Sequence, residues 1–130
     1  MYEVGLSEIC IRENVGLLDA STLGKIIVKG PDAGKFLDMI YTNLMSNLKV
    51  GHCRYGLMCT ENGFLSDDGV VARLDENTFL CHTTSGGSDR IHAWMEEWLQ
   101  TEWWDWKVYT ANVRYTNIHT LEIAYVSSGL

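Results

Sequence analysis

Asp67 and Asp68 stand side by side in Phe64-Leu65-Ser66-Asp67-Asp68-Gly69-Val70-Val71, a stretch whose other residues read as a buried strand. An ionised carboxylate inside a sheet costs several kcal/mol unless partners or a ligand satisfy it. Carboxylates so placed can take up a proton or stabilise a developing cation. Side chains alternate along a strand, so the two aspartates point to opposite faces and only one can meet a given pocket; Asp68 shares its face with Phe64, Ser66 and Val70.

The turn signal Glu61-Asn62-Gly63 makes this stretch the second arm of a hairpin whose first arm is Cys53 to Thr60. A four-residue loop, Thr60 to Gly63, sets Tyr55 directly across from Asp68, whereas a three-residue loop, Glu61 to Gly63, sets Tyr55 across from Gly69. The four-residue version is the expectation. The plainer alternative is an edge strand with one aspartate solvated and the other paired with Arg54 or Arg73.

Thr83-Thr84-Ser85-Gly86-Gly87 ends one element and opens another, with a composition that lets backbone amides approach a polar ligand. It lacks the GxGxxG and GxxxxGK[ST] patterns, so a capped turn is the default reading. His52, His82, His92 and His119 are dispersed, no two of them at i, i+4 spacing, and no serine or cysteine stands in a nucleophile elbow. Cys10, Cys53, Cys59 and Cys81 form no CxxC and read as free thiols, so no metal site is expected.

The elements that must position these groups follow from periodicity. Ser7 to Asn14 suggests a lead-in helix within residues 1–14, and Lys25 to Lys29 a β-branched strand. Pro31, the one proline, suits the first position of a helix running to about Tyr41, whose Ala33, Phe36, Leu37, Ile40 and Tyr41 share a face. Thr78 to Thr83 is a third strand. Arg90 to Thr101 is a helix with Ile91, Trp94, Met95, Trp98 and Leu99 on one stripe, and Trp106 to Val113 and Thr120 to Val126 are further strands. Trp103, Trp104 and Trp106 are too dense for all to be buried. This order predicts an α+β domain, a mostly antiparallel sheet with helices on one face.

With 130 residues the chain is one domain or a piece of one, and 46% hydrophobic content supports a modest core. Ten Lys and Arg against 17 Asp and Glu give a net charge of −7, which disfavours nucleic acid and anionic membranes as partners. No apolar run approaches the roughly 20 residues that span a bilayer, and the first residues do not read as a signal peptide, so a cytoplasmic protein is expected.

Several ordered blocks carry a resemblance. Val15-Gly16-Leu17-Leu18-Asp19-Ala20-Ser21-Thr22-Leu23-Gly24-Lys25-Ile26, Val28-Lys29-Gly30-Pro31-Asp32-Ala33, Tyr41-Thr42-Asn43, Cys53-Arg54-Tyr55-Gly56-Leu57-Met58 and Ser66-Asp67-Asp68-Gly69-Val70 resemble the folate-binding domain of the glycine-cleavage T-protein (aminomethyltransferase) superfamily. Asp19 to Lys25, Asp67 to Val70 and Trp98-Leu99-Gln100-Thr101-Glu102-Trp103 look most like its sarcosine oxidase α-subunit branch.

The resemblance runs over 15–113, a partial domain, and leaves 114–130 as a divergent tail. It implies tetrahydrofolate as cofactor, with flavin and NAD only in other parts of a sarcosine oxidase assembly, and transfer of a methylene unit from oxidised sarcosine to tetrahydrofolate. It puts the catalytic role on Asp68 and the cofactor contacts on Tyr55, Leu23, Asp67, Thr83, Thr84 and Ser85. Folate, other sarcosine oxidase subunits or a second copy are the implied partners. A stretch of this length alone is expected to turn over weakly or not at all. The alternative is a non-catalytic truncated fragment that keeps the fold and acts through oligomerisation or protein binding.

Overall fold

The computed structural model describes residues 15–19, 22–113 and 121–125, the first and last of these as backbone. The expected lead-in helix and most of the tail lie outside the described residues. The chain forms two compact units. One is a two-stranded antiparallel sheet of β1 (Val15–Asp19) and the chain-final strand Leu121–Tyr125, with Leu17 opposite Ile123. Val15–Asp19 has no counterpart among the elements expected from pattern, because its pairing comes from a strand a hundred residues away rather than from a local turn.

The other unit contains β2 (Gly24–Lys29), α1 (Ala33–Ile40), β3 (Cys53–Cys59), β4 (Leu65–Asp75), β5 (Thr78–Thr83), α2 (Ser88–Thr101) and β6 (Tyr109–Asn112). Its sheet order is β3-β4-β5-β2-β6, and every neighbouring pair is antiparallel. β4 is therefore interior, not the edge strand of the plainer reading. The α+β architecture, an antiparallel sheet with helices on one face, is the fold expected from pattern.

One core lies under both helices. Ile26, Val28, Val71, Phe79, Cys81 and Met58 from the sheet meet Phe36, Leu37 and Ile40 of α1 and Ile91 and Met95 of α2. Burying side chains of this size contributes about 1.5–3 kcal/mol each, which makes this the dominant favourable term of the unit. Trp103 packs edge-on against Phe36 and stacks on Trp98 and Trp106, while Trp104 points away with 76% of its surface exposed. This tryptophan turn shortens the strand expected over Trp106 to Val113, which runs from Tyr109 to Asn112.

α1 begins at Ala33, so Pro31 precedes its cap rather than opening it. The cap residue, Asp32, accepts the Lys107 backbone N–H at 2.9 Å and so ties the entrance of α1 to the segment before β6. Gly30 is in the left-handed region at φ 141°, where a Cβ would also meet the Lys107 carbonyl.

Candidate functional site

The hairpin of β3 and β4 sets the geometry around the aspartates. At its tip Cys59 pairs with Leu65, but Met58 pairs with Asp67, so Ser66 is an extra residue on β4, a bulge. Beyond the bulge Leu57 faces Asp68 and Tyr55 faces Val70. The three-residue loop, Glu61 to Gly63, fits the tip, where the Thr60 N–H donates to the Phe64 carbonyl and Cys59 pairs with Leu65, but the bulge shifts Tyr55 past both Asp68 and Gly69, the partners the two loops predict. The Tyr55/Asp68 couple nevertheless forms: across the diagonal of the pair, the Tyr55 hydroxyl donates to Asp68 Oδ2.

The two carboxylates do lie on opposite faces. Asp67 is buried at 4% exposure on the helix side. Its Oδ1 accepts the backbone N–H of Asp68 at 2.8 Å and of Thr84 at 3.1 Å, and its Oδ2 accepts the Thr84 hydroxyl at 3.1 Å. Its base is Arg90, 3.8 Å away in the first turn of α2. Arg54 and Arg73, the partners suggested by proximity in sequence, donate instead to carbonyls of the loop before β3, Arg54 to Leu44 and Arg73 to Ser46 and Leu48.

The Asp67 carboxylate sits against Gly87, at the N-terminus of α2, where a Cβ on residue 87 would collide with Oδ2. Exposed backbone amides and the helix dipole favour an anion there. Asp67 thus staples the Thr84–Gly87 turn, closed by Gly87 N–H to the Thr84 carbonyl at 3.0 Å, onto the middle of the sheet. Arg90 adds a second tie, donating to the Ser66 hydroxyl at 2.6 Å and its carbonyl at 2.8 Å, so the bulge is held by the same helix.

Asp68 lies on the other face, half-buried, with Tyr55 (56% exposed), Leu57 (39% exposed) and Val70 around it. The Asp68 hydrogen bond, with a smaller contribution from burial, raises the Tyr55 phenol above its ordinary 10.0. A carboxylate beside a phenol on a partly apolar surface can bind a planar polar ligand, hold a proton at Oδ2 and stabilise positive charge.

The other expected contacts separate. Leu23 is 38% exposed just before β2, and Ser85 is exposed in the turn after β5. Thr83 is 2% exposed, its hydroxyl donating to the Thr84 carbonyl at 3.0 Å, and the Thr84 hydroxyl is committed to Asp67. Asp67, Thr83 and the Thr84 hydroxyl are therefore turned away from the surface that Asp68 and Tyr55 present. Leu57 and Arg90 are missed by sequence reasoning. The i, i+2 relation to Tyr55 could have found Leu57, whereas nothing in the spacing points from Arg90 to residues 24 positions earlier.

Among the described residues no cluster of three His, Cys, Asp or Glu could hold a metal ion, and no helix is long and apolar enough to cross a membrane.

The α subunits of sarcosine oxidase from Corynebacterium sp. (strain P-1) and Rhizobium meliloti (strain 1021) are 58% and 44% identical to this chain over 93 residues, 72% of the chain. The chain spans 10% and 9% of their lengths. An aminomethyltransferase from Thermosipho melanesiensis is 35% identical over 89 residues, which cover 68% of the chain and 24% of that protein. In three dimensions the chain is similar to the glycine cleavage system aminomethyltransferase T from Bartonella henselae. The TM-score is 0.70 at 25% identity, over 83% of this chain and 29% of that one. The model of the GCVT N-terminal domain matches residues 7–124, nearly the whole sequence, and the chain belongs to that family.

Proposed function

We propose that this chain supplies part of the folate-binding module of a sarcosine oxidase α-subunit-like enzyme, in which Asp68 serves the transfer of a one-carbon unit to tetrahydrofolate. The single observation that carries this reading is the Tyr55–Asp68 hydrogen bond on the face of the sheet away from the helices. The residues fit a reduced pterin: Asp68 supplies an acceptor for ring N–H groups, and Leu57 and Tyr55 supply exposed apolar surface for a planar ring. Bound tetrahydrofolate would supply the nucleophilic nitrogens that accept the carbon unit.

Asp68 contributes in two ways. A carboxylate about 4 Å from a developing cation gains roughly 4 kcal/mol at an effective dielectric near 20. Its Oδ2 can also take a proton, with the Tyr55 hydroxyl donating to it and fixing its rotamer. Asp67 has a supporting part, since its Oδ1 holds the Asp68 backbone N–H and the 84–87 turn in place. The amine oxidation itself belongs to other parts of such an assembly.

The experiment places residues 15–113 in the corresponding segment of a complete sarcosine oxidase α subunit and measures methylenetetrahydrofolate formed per sarcosine oxidised. The segment should sustain it, and Asp68→Asn should lower it by about 10²-fold or more with sarcosine oxidation unchanged. Equal yields from both proteins would refute the assignment. A second reading, a fold kept for protein binding, draws on Phe64 and Leu65, exposed at 73% and 61% at the hairpin tip. It requires the chain to run as a dimer or larger on size exclusion and to leave folate unbound.

A further inference from the structure

The edge of the sheet farthest from β3 carries a second constellation. α2 presents His92, Glu96 and Gln100 at i, i+4 and i+8 toward β6, and with Trp104, Trp106, Tyr109 and Thr110 they line a cleft of about 440 Å³. This volume suits a small organic ligand. The Thr110 hydroxyl donates to Glu96 Oε1 and lies 3.0 Å from His92 Nε2. A threonine has one proton to give, so His92 Nε2 carries its own hydrogen and donates to Thr110, which fixes the chain His92 to Thr110 to Glu96. Gln100 donates to Glu96 Oε2 at 3.2 Å.

The carboxylate is thus aimed but not neutralised. His92, at 3.8 Å, is the nearest basic group, and among the described residues no lysine or arginine pairs with Glu96. Trp104 and Tyr109 supply the aromatic faces that attract cations, whereas the Trp106 ring is already engaged by Trp103, stacked at 5.1 Å, and by Lys35 Nζ, 3.8 Å from its centre. Trp104 and Tyr109 are 76% and 66% exposed, so their rings are open to a ligand.

We propose that the cleft between α2 and β6 binds a small alkylammonium ion, its charge set against Glu96 and its alkyl groups against Trp104 and Tyr109. A carboxylate gives the charge selectivity, and the rings accept methyl or methylene groups that carry part of the positive charge. The site is separate from Asp68 and stands or falls independently of the folate reading.

The test titrates the full chain with choline and with its neutral isostere 3,3-dimethylbutan-1-ol, following tryptophan fluorescence and the indole N–H resonances. Choline should bind saturably and shift Trp104, with the neutral isostere about tenfold weaker or worse. Glu96→Gln should weaken choline by about tenfold, and Trp104→Ala by about twofold to fivefold. Trp104 is so exposed that its removal leaves the fold intact, and the comparison of the two ligands on the unaltered chain needs no variant at all. Equal binding of choline and the alcohol, absence of saturable binding, or affinity unchanged in both variants would overturn the proposal. So would binding of a lysine-containing peptide without binding of free choline, which would make the cleft a protein contact.

Discussion

Asp67 and Asp68 are consecutive in sequence and chemically identical, yet one face of β4 makes the first a structural staple while the other leaves the second available for ligands. On the helix side, three hydrogen bonds and Arg90 consume the lone pairs of Asp67. On the far side, Asp68 has the Tyr55 hydroxyl and a partly open apolar surface. A carboxylate can be kept in a sheet for architecture or for chemistry, and what distinguishes the two is how fully its oxygens are already satisfied.

This contrast can be broken most forcefully at Asp67. Asp67→Ala should cost about 3 kcal/mol in urea unfolding, because the Asp68 and Thr84 N–H groups and the Thr84 hydroxyl lose their acceptor; the exposed Arg90 pair adds little. A loss within about 0.5 kcal/mol would mean that the turn is held by something else. Next comes Gly87→Ala, whose Cβ would meet Asp67 and Thr84, at about 1–3 kcal/mol, against Gly86→Ala, which has open space and should stay within about 0.5 kcal/mol.

The buried core beneath the sheet gives a pH signature. Burial pushes the Cys81 thiol from 9.0 to about 12, and burial likewise raises the Tyr41 phenol beside it well above 10.0. Both groups ionise more readily in the unfolded chain. Their contribution to stability is therefore complete below pH 9 and is lost progressively as pH rises toward 12. Thermal melts across that range should show Tm falling, with a shallower fall in Cys81→Ala, and site-resolved alkylation at neutral pH should label exposed Cys53 and spare Cys81.

The smallest effects belong to the far side. Phenolate absorbance should place the Tyr55 titration above 10.0, and Asp68→Asn should return it toward that value while changing unfolding stability by no more than about 0.5 kcal/mol. Unaltered Tyr55 titration in that variant would mean that the couple does not exist in solution.

Both helices were legible because three- and four-residue spacing of Phe36, Leu37 and Ile40, and of Ile91, Met95 and Trp98, is a local signal. So was the opposition of Asp67 and Asp68, which follows from alternation alone. The strand order was not, since β2 lies between β5 and β6 through contacts distant in sequence. Nor was the register: the Ser66 bulge is a backbone irregularity held by Arg90, and no turn residue announces it. The Tyr55/Asp68 pair was expected face to face and forms on the diagonal, because the two side chains are long enough to bridge the shifted register. Within the 83–85 turn, composition made a plain turn the default and only the resemblance implied ligand contact; Thr83 is buried and the Thr84 hydroxyl is bound to Asp67.

The most direct measurement of the central claim is calorimetric titration of this chain and its Asp68→Asn variant with tetrahydrofolate. The account predicts saturable binding to the unaltered chain, weakened about tenfold or more in a variant whose melting temperature is unchanged. Equal affinity in the two proteins would contradict it, and would leave Asp68 an ordinary surface carboxylate beside a tyrosine.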